Sequence, residues 1–178
     1  MILCFHEISY EKNEYIVSPE QFRYLIKKFP NAQIHFDDGR AGVLRYGLPI
    51  LKALNKKATL FLVPSFLFGN VPKSELYSSF LKIDDIKYFL KENWEIGSHS
   101  YNHQNLTTLP RELIIEELQL SKEFLQNITH RKVISFAFPF GAVNEEVLSL
   151  AKKFYKFTYA LDKPFGIKRK LILNTSTS

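Results

Sequence analysis

With a single cysteine in 178 residues, no intrachain disulfide can form and nothing covalent staples the fold. That residue, Cys4, sits in the apolar run ILCF and reads as a small buried side chain. The start, MILCFHEIS, has neither a basic leader nor a long apolar core, so it does not read as a secretory signal. The longest apolar stretch, TLFLVPSFLFG, is too short to cross a bilayer and contains Pro64. These absences predict a cytoplasmic location and no transmembrane segment; a chain trimmed of a leader would instead act outside the cytoplasm. Internal repeats, low-complexity tracts and interdomain linkers are missing too, so residues 1–178 are expected to form one domain.

Charge is also sparse in pattern. The net charge is +6, yet the lysines fall mainly as scattered pairs such as Lys27-Lys28, Lys56-Lys57 and Lys152-Lys153, the signature of solvated helix faces. Only Lys168-Arg169-Lys170 clusters, and there is no interleaving of basic and aromatic residues, which excludes a nucleic-acid partner from the expectation. Aromatics, by contrast, are plentiful: 16 Phe and 9 Tyr exceed what surface platforms could use, so most must be core.

Short apolar runs alternate with amphipathic segments. ILCF, AQIHF, ATLFLV, WEIG, VISFAF and FTYAL read as strands, with LIL near the end as one more. Ser18-Pro19 with Gln21 reads as a helix start, and Phe22, Leu25, Ile26 and Phe29 form its apolar stripe. Val43 to Leu54, a segment capped by Asp84, RELIIEELQLSKEFLQ after Pro110, and NEEVLSLAKKF supply further helices. This alternation predicts an α/β fold, a deformed or incomplete (β/α) barrel of about seven parallel strands, because a regular eight-fold barrel needs roughly 200 residues or more.

The unusual polar residues follow predicted strands. His6 follows ILCF; Asp37-Asp38-Gly39 follows AQIHF; His99 and His103, in SHSYNH, follow WEIG; Pro139-Phe140-Gly141 follows VISFAF. In parallel α/β architectures all strand carboxyl ends share one rim, where sites assemble. Two histidines four apart with a carboxylate suit a divalent metal, Zn²⁺ foremost and Co²⁺, Fe²⁺ or Ni²⁺ as alternatives. A metal also accounts for two adjacent aspartates in IHFDDGR: one binds the cation while its neighbour stays free as a base. His35, inside a strand, and His130, in a helix–strand turn, are read as structural.

HFDDG, EIGSHSYNH and FAFPFG, in this order and each after a strand, resemble the motifs of the polysaccharide deacetylase (NodB-homology, carbohydrate esterase family 4-like) family. The resemblance covers nearly the whole chain and thins after about residue 160. It implies a deformed (β/α) barrel and metal-dependent removal of N-acetyl groups from sugars, with an N-acetylglucosamine-containing glycan as substrate. Carried across, Asp37 is the general base, Asp38, His99 and His103 are the metal ligands, and Pro139 and Phe140 form the oxyanion and substrate motif, with the Phe140 N–H as donor.

Two family features are missing at their usual places. Ala137 stands where many members carry an arginine that braces the base, and no histidine follows His130 to serve as general acid. LCFHEI is similar to the start of the poly-N-acetylglucosamine deacetylase branch, which makes His6 the candidate acid. Three alternatives stand beside this reading: a deacetylase or amidase for another acyl substrate, a non-catalytic metal- and glycan-binding protein, and a non-haem iron oxygenase, which uses the same ligand types.

Overall fold

The structure is a computed structural model that describes residues 1–161 and 166–173. Eight short parallel strands make the central sheet: β1 Ile2–Phe5, β2 Gln33–Phe36, β3 Thr59–Leu62, β4 Glu95–Ser98, β5 Ser135–Ala137, β6 Phe157–Ala160, β7 Ile167–Lys168 and β8 Lys170–Leu171. Their order across the sheet is β8-β1-β2-β3-β4-β5-β6-β7. The two outermost strands are consecutive in the chain, separated by Arg169 alone. One extended segment therefore pairs with β6 on one side, Tyr159 opposite Ile167, and with β1 on the other, Leu3 opposite Lys170. It brings the sheet's edges together into an irregular, nearly closed barrel. The expected seventh strand thus begins earlier than LIL and is divided in two.

Strand periodicity sorts the side chains. Leu3, Phe5, Ile34, Phe36, Leu60, Leu62, Ile96 and Phe136 join the core shared with the helices, alongside Phe22, Ile26, Leu118 and Val147. Their alternates Phe61, Ala137 and Tyr159 fill the small barrel interior. His35 belongs there too, its ring 5.1 Å from Phe61 and 4.7 Å from Tyr159. Burial lowers its pKa to about 3, so it sits inside as a neutral, structural imidazole.

The helices lie in the crossovers: α1 Pro19–Lys28, α2 Leu48–Ala53, α3 Pro64–Leu67, α4 Ile86–Lys91, α5 Arg111–Thr129 and α6 Glu145–Phe154. Ser18 caps α1 as expected, its hydroxyl accepting from the Gln21 N–H at 3.1 Å. Residues 43–54 are not one α-helix. They open with a wide π turn, Val43–Gly47, because Pro49 has no N–H for the carbonyl four residues back and its ring crowds that turn. Asp84 is not a cap: a 3₁₀ turn, Ile83–Asp85, precedes α4, and it is Asp85 whose carboxylate accepts from the Lys82 N–H at 2.8 Å. His130 ends α5 in the left-handed conformation, φ 52°, a structural role as expected. Among the described residues no helix is long and apolar enough to cross a membrane.

Candidate active site

The carboxyl ends of β1, β2, β4 and β5 converge on a cleft of about 420 Å³. His6, Asp37, Asp38, His99, His103 and Phe140, six of the seven predicted residues, line it. Pro139 does not: it is buried behind the cleft as the first residue of the Pro139–Gly141 turn. A larger hollow, about 840 Å³, opens at the opposite end of the barrel around His35, Glu95 and Tyr159, where no metal-ligand cluster occurs among the described residues.

Asp38 follows β2 in the left-handed region, φ 69°, ahead of Gly39 at 77°. A non-glycine residue held there signals backbone fixed for a purpose other than chain economy. Gly39 is required: a Cβ on it would lie 2.7 Å from Leu62 Cδ2, besides the strain of its φ. Asp38 Oδ2 accepts from Arg40 Nε at 3.2 Å, whereas Oδ1 is buried without a hydrogen-bond partner. That orphan atom faces His99 Nε2 at 3.6 Å and His103 Nε2 at 3.5 Å. One ligand atom from each of the three residues lies within 4.8 Å of the others. The donor set, with an acceptor that has no other partner, fits a divalent cation.

The two imidazoles are held by different devices. His99 follows β4, and its Nδ1 lies 2.7 Å from the Ala137 carbonyl. A carbonyl only accepts, so Nδ1 carries the proton and Nε2 keeps its lone pair toward Asp38. Burial lowers the His99 pKa to about 4, favouring the neutral, ligating form. His103 is not one helical turn on, as its spacing allowed. It sits in a loop with φ 56° at His103 and 62° at Ser100, so the pair meets through a tight reversal. Glu117 on α5 pins that loop, its carboxylate accepting from the Tyr101 N–H at 2.8 Å, the Asn102 N–H at 2.9 Å and Asn102 Nδ2 at 2.7 Å. The His103 ring packs between Phe66 at 5.5 Å and Phe140 at 4.7 Å.

Asp37 points into the barrel mouth and meets Arg169. Nη1 donates to Oδ1 at 2.5 Å and Nη2 to Oδ2 at 2.7 Å, a two-pronged pair across 132 residues. Cys4 Sγ–H adds a weak bond to Oδ2 at 3.3 Å. Burial pushes the Asp37 pKa up, but the Arg169 guanidinium outweighs it and holds the carboxyl well below its usual range. Asp37 therefore stays ionised. Three of its lone-pair positions are engaged, which leaves room for one more donor.

Arg169 is the functional residue that the sequence reading missed. It appeared only as the middle of a basic cluster, but the strand alternation of β7 and β8 turns Lys168 and Lys170 outward and Arg169 inward, where it is buried. Its guanidinium thus reaches Asp37 from the far end of the chain, whereas Ala137 offers no cation there. The signal lay in the period-two pattern of IKRKL beside a possible strand. His6 stands just past β1, half-buried, with its ring 5.2 Å from Tyr15 and its Nδ1 without a partner.

The sequence profile of polysaccharide deacetylases matches residues 27–159. A Staphylococcus aureus poly-beta-1,6-N-acetyl-D-glucosamine N-deacetylase is 25% identical over 159 residues, covering 81% of this chain and 53% of that protein. The Bacillus subtilis protein YxkH is 29% identical over 120 residues, 67% of this chain and 40% of its own length. The chain thus spans about half or less of the length of these relatives. Among solved structures, the Streptococcus pyogenes deacetylase PplD superposes with a TM-score of 0.84 at 20% identity, covering 98% of this chain and 92% of that one. IcaB from Ammonifex degensii gives 0.83 at 17% identity, covering 98% and 91%. At these identities the two superpositions establish the shared fold.

Proposed function

Because the chain belongs to the polysaccharide deacetylase family, we propose that it hydrolyses N-acetyl groups on a glycan built from N-acetylglucosamine units, using a divalent metal held by Asp38, His99 and His103. The observation that carries this reading is the buried, unpartnered Asp38 Oδ1 facing two imidazole nitrogens, with an ionised Asp37 next to it that is engaged elsewhere. Zn²⁺ suits this ligand set best; Co²⁺, Fe²⁺ and Ni²⁺ also suit it. When bound, such a metal polarises the acetyl carbonyl and acidifies water at the site.

The chain's own groups then divide the proton traffic. Asp37 takes a proton from the attacking water as its oxygen bonds to the acetyl carbon. Arg169 keeps Asp37 ionised and fixes the plane of its carboxylate. The Phe140 N–H donates to the carbonyl oxygen as negative charge grows there. His6 gives its proton to the nitrogen as the C–N bond breaks, releasing acetate and a free amine. The sulfur of Cys4, with its thiol pKa raised by burial, stays protonated and serves only as a donor to Asp37.

Three alternatives make different predictions. A related hydrolase for another acyl group would turn over O-acetyl esters or small amides and leave N-acetylated glycans untouched. A glycan-binding protein would bind sugar without turnover; that reading draws on the missing brace, the missing late histidine and the short chain, and Arg169 in contact with Asp37 answers the first of these. An oxygenase would need 2-oxoglutarate and O₂, and offers no task for an ionised acid beside the ligand acid. The test is acetate release from N-acetylglucosamine oligomers by Zn²⁺-loaded protein. Asp37→Asn should abolish release with metal retained, and His6→Ala should lower it by about 10²–10⁴-fold. Normal turnover by Asp37→Asn would overturn the assignment.

A further inference from the structure

Arg40 has no role in the scheme above, yet it is wholly buried. Four of its five N–H donors are engaged: Nε donates to Asp38 Oδ2 at 3.2 Å, Nη1 to the Glu75 carbonyl at 3.0 Å and to Ser78 Oγ at 3.1 Å, and Nη2 to the Glu75 carboxylate at 2.5 Å. Two aromatic rings pack against it, with the Tyr77 ring 3.7 Å from Cζ and the Phe80 ring 4.6 Å. The backbone follows the side chain. The Ala41 N–H donates to the Ser79 carbonyl and the Leu81 N–H to the Gly39 carbonyl, both at 2.9 Å. Residues 75–81 are therefore wrapped around one guanidinium.

The same segment forms a wall of the cleft. Ser74, Glu75 and Tyr77 line it, and Tyr77 stacks on Tyr15 at 6.2 Å, the ring that faces His6. One cation thus touches the Asp38 carboxylate on one side and the wall on the other. A buried ion pair is weak evidence for stability, since apolar packing of equal volume does as well. It is better evidence for a fixed geometry between two parts that must move or rest together.

We propose that Arg40 is a positioning residue that couples metal occupancy at Asp38 to the placement of the Glu75–Tyr77 wall, so that the cleft is shaped for substrate only when the metal is in place. The proposal rests on the metal reading of Asp38, His99 and His103. By linkage the coupling runs both ways: a cation that steadies Asp38 steadies the wall, and a loosened wall weakens the cation. Arg40 orients Asp38 through Oδ2 and leaves Oδ1 for the metal, as outer partners of metal ligands do.

The experiment uses Glu75→Gln, which keeps the shape, removes the wall's charge and does not touch Asp38. Zn²⁺ affinity is measured by competition with a chromophoric chelator, and hydrogen exchange of amides 75–81 is followed with and without Zn²⁺. In the unaltered protein, Zn²⁺ should slow exchange across 75–81. Glu75→Gln should weaken Zn²⁺ binding at least about fivefold and blunt that slowing. A purely structural pair would lower the denaturation midpoint of Glu75→Gln while leaving the Zn²⁺ affinity of the folded protein unchanged, and that result overturns the coupling. Failure of the unaltered protein to bind Zn²⁺ would overturn the metal reading and the coupling together, an outcome distinct from normal binding without transmission to 75–81.

Discussion

Replacing Arg169 with methionine tests how much the barrel mouth depends on one ion pair. Methionine keeps an unbranched apolar stem and removes the two bonds, 2.5 and 2.7 Å, that Asp37 receives. Removing one partner of a buried pair costs about 3–5 kcal/mol, because the other charge is left without compensation. The Cys4 thiol at 3.3 Å is no substitute. In a chain of this length about 2–4 °C of Tm accompanies each kcal/mol, so Tm should fall by roughly 6–20 °C. The assay is thermal and urea denaturation in excess chelator, so that no cation neutralises the acid. Adding Asp37→Asn should recover much of the loss, giving a coupling energy well above the roughly 0.5 kcal/mol scatter of independent sites. The pH dependence has a definite sign. In the unaltered protein Asp37 is held below its usual range, so its stabilisation is complete above the unfolded pKa of about 3.9 and is lost only as pH falls through the lower folded value. Without Arg169 burial dominates, the folded pKa lies above the unfolded one, and protonation relieves the variant. The gap between the two proteins should therefore be widest near pH 7 and shrink toward pH 4. A loss below about 1 kcal/mol at pH 7, or a gap that widens on acidification, would refute the argument.

Other outcomes follow from single contacts. Glu117→Ala removes three bonds that pin the 101–102 loop and should weaken Zn²⁺ binding by about 10–100-fold, measured by chelator competition. His35, with a folded pKa near 3 against an unfolded value near 6.5, stabilises fully above pH 6.5 and loses up to about 1.4 kcal/mol per pH unit as pH falls toward 3; His35→Phe should flatten the urea-denaturation profile over that window. Gly42→Ala would place a Cβ 1.9 Å from Glu7 Oε1 and 2.2 Å from the Ile8 carbonyl, and should destabilise by about 3 kcal/mol or more in urea denaturation.

The sheet was legible because its strands are short apolar runs, and the rim because a polar cluster follows four of them. The cluster of Asp38, His99 and His103 could be anticipated from chemistry, since two imidazoles and an acid have few other reasons to share a rim. Arg169 could not be found that way, since a basic triplet is usually solvated and only tertiary pairing with β1 and β6 turns its middle residue inward. The same limit hid Arg40, which sits in the DDGR stretch but acquires meaning only from Glu75, 35 residues on. Pro139 misled because a motif's proline can shape a turn without facing the cleft. The π turn ahead of α2 was masked by a helical apolar spacing that gives no weight to the missing N–H of Pro49.

Chain order puts a clock on this enzyme fold. A ribosome delivers Asp37 first and its counter-ion 132 residues later. Until the Ile167–Leu171 segment docks, β1 and β6 are raw edges open to stray strands, and the acid has no companion. Closing so long a loop costs about 4 kcal/mol of chain entropy, recovered only when the last rung seats. On the proposed mechanism Asp37 gains its counter-ion only when the Ile167–Leu171 segment seats, and a copy that stops short of it keeps two open sheet edges.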